Sequence, residues 1–161
     1  MNLQNLFEMQ KALDTFIEKT QRVEHDVFKE KGLALMVELA ELANETRCFK
    51  FWSKKGPSEK EILLEEYVDS IHFILSLGLL TGFTSIEKWP VVEKKRDLTE
   101  VFLLTQEAIL SFVDNPTEDS YLAIWQCYGV IADRLGFSFD EIVRAYLEKN
   151  EENYKRQRTG Y

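Results

Sequence analysis

Glu38 and Glu41 stand three positions apart in the run ELAELANE, and Glu66 and Asp69 repeat the interval in EEYVDSIHF. At about 100° per residue, each pair shares one face of a helix, and Glu45 joins the first pair on its face. Leu35, Met36, Leu39, Leu42 and Ala43 supply the apolar side of the first segment, and Leu63, Leu64, Tyr67, Val68, Ile71 and Ile74 that of the second. The acids therefore border a core. Four carboxylates converging from adjacent helices repel one another in a partly dry site and resist ionisation unless a cation neutralises them. An oxygen-only donor set favours Mg²⁺, with Mn²⁺ as a substitute, and Mg²⁺ characteristically recruits the oxygens of a substrate phosphate. The competing reading is that acids at this spacing decorate a solvated helix face. Two such pairs on consecutive helices, flanked by Leu and Ala rather than by Lys, weigh against it.

Further polar residues extend the pattern. Lys149, Asn153 and Arg156 fall at i, i+4 and i+7, so they form one stripe that could grip phosphates through a mobile ammonium, an amide and a bidentate guanidinium fork. The plainer alternative is that bases near a helix C-terminus complement its dipole. Lys54, in the loop SKKGPS, is a weaker phosphate candidate, since such a turn is ordinarily solvated. A diiron carboxylate centre needs Glu followed three residues later by His on each of two helices. Only Asp69 and His72 offer anything similar, and His25 has no carboxylate three residues before it.

The elements that must position these groups are legible from periodicity. Apolar residues recur at three and four throughout, and Pro57, Pro90 and Pro116 fall between the periodic segments, which predicts an all-α chain. Helices are expected over Leu3 to about Thr20, from Gly32 to roughly Phe49, from an N-cap at Ser58 through about Leu80, over Leu98 to Val113, over Asp119 to Leu135, and over Phe139 to about Arg156. Ser58 with Glu61, and Ser138 with Glu141, have capping-box spacing, while Gly82 and Gly136 are plausible terminators. Five or six major helices joined by short loops imply a packed bundle, and 161 residues imply a single domain spanning positions 1–161.

Composition excludes several classes. Twenty Lys and Arg against 28 Asp and Glu give a net charge of −8, which argues against a broad nucleic-acid-binding surface. Cys48 and Cys127 have no zinc-like spacing and suggest a reducing compartment. The N-terminus MNLQNLFEMQ lacks the basic start of a signal peptide, and no apolar run approaches the roughly 20 residues of a membrane span. A cytoplasmic protein with no membrane contact is the expectation.

Taken together, ELAELANETRCFKFW, EEYVDSIHFILSLG and the terminal YLEKNEENYKRQRTGY resemble the all-α dimeric dUTPases of the MazG-like nucleotide pyrophosphatase superfamily, over nearly the whole chain. The resemblance implies a MazG-like helical bundle that binds Mg²⁺ through Glu38, Glu41, Glu66 and Asp69 and converts dUTP, and in some members dUDP, to dUMP. It implies that Glu38 or Glu41 accepts the proton of the attacking water, and that Lys149, Asn153 and Arg156 contact phosphates. It further implies that Gln10, Asp14, Trp52, His72 and Phe73 surround the base and sugar. Asp14 stands where relatives more often carry Asn, and an ionised carboxylate cannot donate to a uracil carbonyl. A homodimer with nucleotide sites near the subunit interface is also implied. Two other functions fit the same residues: a broader pyrophosphatase acting on dCTP or modified nucleotides, and a non-enzymatic helical scaffold kept in solution by its acidic faces.

Overall fold

The computed structural model describes residues 1–90 and 96–161. Six helices are found among them: α1 (Leu3–Gln21), α2 (Phe28–Thr46), α3 (Lys60–Thr81), α4 (Leu98–Asp114), α5 (Glu118–Leu135) and α6 (Phe139–Arg158). No strand occurs among the described residues, as the periodicity requires.

The hub is α3, which packs against α1, α2, α5 and α6. Its apolar residues run almost all round the helix, from Leu63 and Tyr67 through Ile71, Ile74 and Leu75 to Leu77, as a helix buried on most sides demands. Two phenols lock it to α5: Tyr67 donates to the carbonyl of Tyr128, and Tyr121 donates to the carbonyl of Ile74, both at 2.7 Å. Gly78 makes room for the second, since a Cβ there would lie 2.2 Å from the Tyr121 hydroxyl.

Helices α2 and α3 form an antiparallel hairpin. Ser58 meets Glu45 at one end, Lys31 meets Ser76 at the other, and Glu38 and Asp69 fall between. This register places both acidic pairs on facing surfaces.

Several expected boundaries are corrected. Gly32 does not open α2, which begins at Phe28 with the Phe28 amide donating to Asp26. Gly32 is buried inside the helix, where a Cβ would lie 2.6 Å from a Val113 methyl, so it serves the close approach of α4. The same helix ends at Thr46 rather than near Phe49, because Arg47 turns left-handed (φ 58°) and its amide caps the carbonyls of Ala43 and Asn44. Ser58 is not an N-cap. Its amide and hydroxyl both donate back to Glu45, and α3 starts at Lys60 behind Glu59 with no side-chain cap. The boxes that do form are Asn2 with Asn5, Thr117 with Ser120, and the expected Ser138 with Glu141. Gly82 and Gly136 terminate α3 and α5 in the left-handed region, as expected.

Candidate active site

Three of the four paired acids converge. Glu38 from α2 and Glu66 and Asp69 from α3 each bring a carboxylate oxygen to within 4.8 Å of the others. Each is half-buried, because Leu35, Leu39 and Leu42 on one helix and Tyr67, Val68 and Ile71 on the other draw the intervening faces into the core. Glu41 lies at the exposed rim.

The electrostatics follow from this crowding. Burial, a carboxyl–carboxyl hydrogen bond with Glu41, and the charges of Asp69, Glu41 and Glu66 push Glu38 up to about 8. Burial and the charges of Asp69, Glu41, Glu45 and Glu65 push Glu66 up to about 7. Asp69 rises less, to about 6, because burial is opposed by Lys149. Oε2 of Glu38 is buried with no hydrogen-bond partner among the described residues. An all-oxygen donor set with repelling charges and an orphaned acceptor is what a hard divalent cation satisfies, so these residues fit Mg²⁺ or Mn²⁺.

Lys149, expected on phosphate, takes a different position. It reaches from α6 into the hairpin, is almost wholly buried, and lies 3.0 Å from Glu65, 3.3 Å from Asp69 and 3.5 Å from Glu152. Burial works against its charge, but Asp69 and Glu65 raise its pKa all the same. It is the internal counter-ion of the acidic face.

Beside the carboxylates opens a cavity of about 390 Å³ between α1, α2, α3 and α6. It collects Glu38 and Asp69 with Gln10, Asp14, His72, Phe73, Asn153 and Arg156, thus joining the acidic, basic and expected base-binding residues. Arg156 also pairs with Glu152 at 2.5 Å. His72 is stacked on Tyr146 at 4.3 Å, and burial, reinforced by Lys149, lowers its pKa to about 3, so the ring is neutral. Gln10 fixes its tautomer. The Gln10 amide nitrogen donates to Asp14 at 2.8 Å, so its oxygen must accept, from the Tyr146 hydroxyl at 2.9 Å and from His72 Nδ1–H at 2.7 Å. Nε2 of His72 is left as a buried acceptor without a partner among the described residues.

Trp52 and Lys54 are not brought to this cavity. They lie on the exposed 47–59 loop, where Trp52 makes edge contacts with Phe49 and Phe51. Lys31 and Ser76, in contrast, line the cavity although sequence reasoning passed over them. Their only signal is that each stands seven positions, two helical turns, from a metal-type carboxylate.

Among the described residues no helix is long and apolar enough to cross a membrane. No curated protein matches the chain. A family model described as dUTPase matches residues 2–161, which include every group assembled above. The chain belongs to this all-helical family, whose members hydrolyse dUTP.

Proposed function

We propose that the chain hydrolyses dUTP, and dUDP as a secondary substrate, to dUMP, with Mg²⁺ or Mn²⁺ held by Glu38, Glu66 and Asp69 and with Glu41 completing the set at the rim. The observation that carries this reading is the meeting of three carboxylates from two helices, two of which, Glu38 and Asp69, stand in the wall of one nucleotide-sized cavity. A divalent cation bound there would neutralise charge developing on phosphate oxygens during in-line displacement. The chain's own groups supply the rest. Glu41, exposed to water yet touching Glu38, is placed to take the proton of the attacking water. Arg156 offers its fork and Asn153 its amide to the phosphates or sugar. Phe73 gives an apolar wall for the base, while His72 presents an acceptor. Lys149 holds Asp69 in position and balances its charge.

The single domain is taken to span 1–161, and a homodimer and a cytoplasmic setting belong to the same reading. Leu33 and Val37 lie one turn apart on α2, and Leu103 and Leu110 two turns apart on the adjacent α4; all four are exposed, at 48–63%. Such stripes suit a second copy, and a monomer mass in light scattering at working concentration would contradict it. The cytoplasm is where nucleoside triphosphates are available.

The test is a turnover panel of dUTP, UTP, dCTP and dTTP with Mg²⁺, scored by release of monophosphate and pyrophosphate. Preferential conversion of dUTP is expected. Comparable rates across the panel would replace the uracil-specific reading with a broad pyrophosphatase, and no turnover would leave a scaffold.

A further inference from the structure

The cavity has a second polar end, far from the carboxylates. Lys31 precedes Glu38 by seven positions on α2, and Ser76 follows Asp69 by seven on α3. Because the helices are antiparallel, both displacements lead the same way, about 10.5 Å along the cavity. There Lys31 Nζ donates to Ser76 Oγ at 2.5 Å, and Ser76 donates in turn to Asp14 Oδ2 at 2.6 Å. Lys31 Nζ lies 3.6 Å from the same Asp14 oxygen, and the two side chains are each only 16% exposed.

A count of donors shows what this end lacks. An ammonium has three N–H groups. Ser76 takes one, Asp14 is an ion-pair partner beyond hydrogen-bond reach, and no other partner of Lys31 is found among the described residues. A largely buried cation with unused donors is costly unless an acceptor reaches it. Gln10 has no oxygen lone pair left for a base. Its oxygen already serves His72 and Tyr146, and its nitrogen serves Asp14.

We propose that Lys31, braced by Ser76 and Asp14, is a specificity residue that donates to a carbonyl oxygen of the uracil ring, with Asp14 accepting from the adjacent imide N–H. The inference rests on the dUTP reading and adds to it the groups that read the base. Uracil presents an acceptor beside a donor, matching ammonium beside carboxylate. Cytosine replaces the carbonyl with an amino group and the imide N–H with a lone pair, so each protein group would meet its own kind. The Asp14 carboxylate, unable to donate by itself, is thereby given a neighbour that can.

The competing role is a brace joining α1, α2 and α3, and the experiment separates the two. Steady-state kinetics of Lys31→Met should show KM for dUTP raised about 10- to 100-fold with kcat changed far less, and the preference for dUTP over dCTP reduced by a similar factor. In calorimetry, dUMP binding should weaken to a comparable extent while Mg²⁺–pyrophosphate binding stays unchanged. Should Lys31→Met fail to fold, the double variant Lys31→Met with Asp14→Leu removes both charges without supplying an amide and is expected to lose the same selectivity. Unchanged KM and selectivity, or equal weakening of dUMP and pyrophosphate, would overturn the assignment while wild-type dUTP turnover keeps the underlying reading intact. A wild-type chain without dUTP turnover would remove both.

Discussion

Glu38 carries the sharpest conflict between folding and function. Its carboxyl sits at about 8, raised chiefly by burial, against an unperturbed 4.5. A carboxyl whose folded pKa lies above its unfolded value binds more protons when folded, so ionisation destabilises the fold progressively as pH rises from about 4.5 through about 8. Glu66, at about 7, and Asp69, at about 6, act in the same sense over lower windows. Glu38→Gln is therefore expected to abolish dUTP turnover while raising the melting temperature of the metal-free protein at pH 8, with little gain at pH 4.5; scanning calorimetry at the two pH values checks it. Glu41→Gln should also abolish turnover and leave the helical circular dichroism intact, and a variant with normal turnover would exclude Glu41 as the base. At this scale the sequence located the acids, because three-residue spacing puts a pair on one face whatever else the helix meets. It could not show Lys149 bound to Asp69, or the Gln10 oxygen already taken by His72 and Tyr146. Those facts depend on which side chain another helix places opposite.

At the scale of elements, the hairpin of α2 and α3 fixes the site and its neighbours hold the hairpin in place. Gly78→Ala would drive a methyl toward the Tyr121 hydroxyl and the Phe83 carbonyl, 2.2 and 2.9 Å from the added Cβ. Overpacking of this kind should cost about 1–3 kcal/mol in chemical denaturation, despite the better helix propensity of Ala. Lys149→Met leaves Asp69 without its counter-ion, and because Glu65 and Glu152 are substantially exposed the loss should be about 1–3 kcal/mol rather than that of a fully buried pair. Helix number, type and most termini were readable, since 3.6-residue periodicity marks five of the segments and the third, apolar on most sides, is too long to be a strand. Gly32 and Ser58 misled for one reason: each has a local meaning, as a helix opener and as a cap, that a tertiary partner overrides. Val113 needs the bare backbone of Gly32, and Glu45 takes the hydroxyl of Ser58.

For the molecule as a whole, a net charge of −8 and a crowded acidic face mean that a divalent cation bound there would contribute to stability as well as to the proposed chemistry. Nothing in the composition distinguishes such a face from solvated decoration, whereas the packing of four helices around one cavity does. Magnesium should raise the melting temperature more at pH 8 than at pH 5, where protons already occupy the carboxyls that it would neutralise. The most direct test is a calorimetric titration of Mg²⁺ into the protein saturated with a non-hydrolysable dUTP analogue, comparing wild type with Asp69→Asn. Saturable binding by wild type, weakened at least about tenfold in the variant, is the predicted result; equal Mg²⁺ affinity in the two proteins would contradict the assignment of the cation to this cluster.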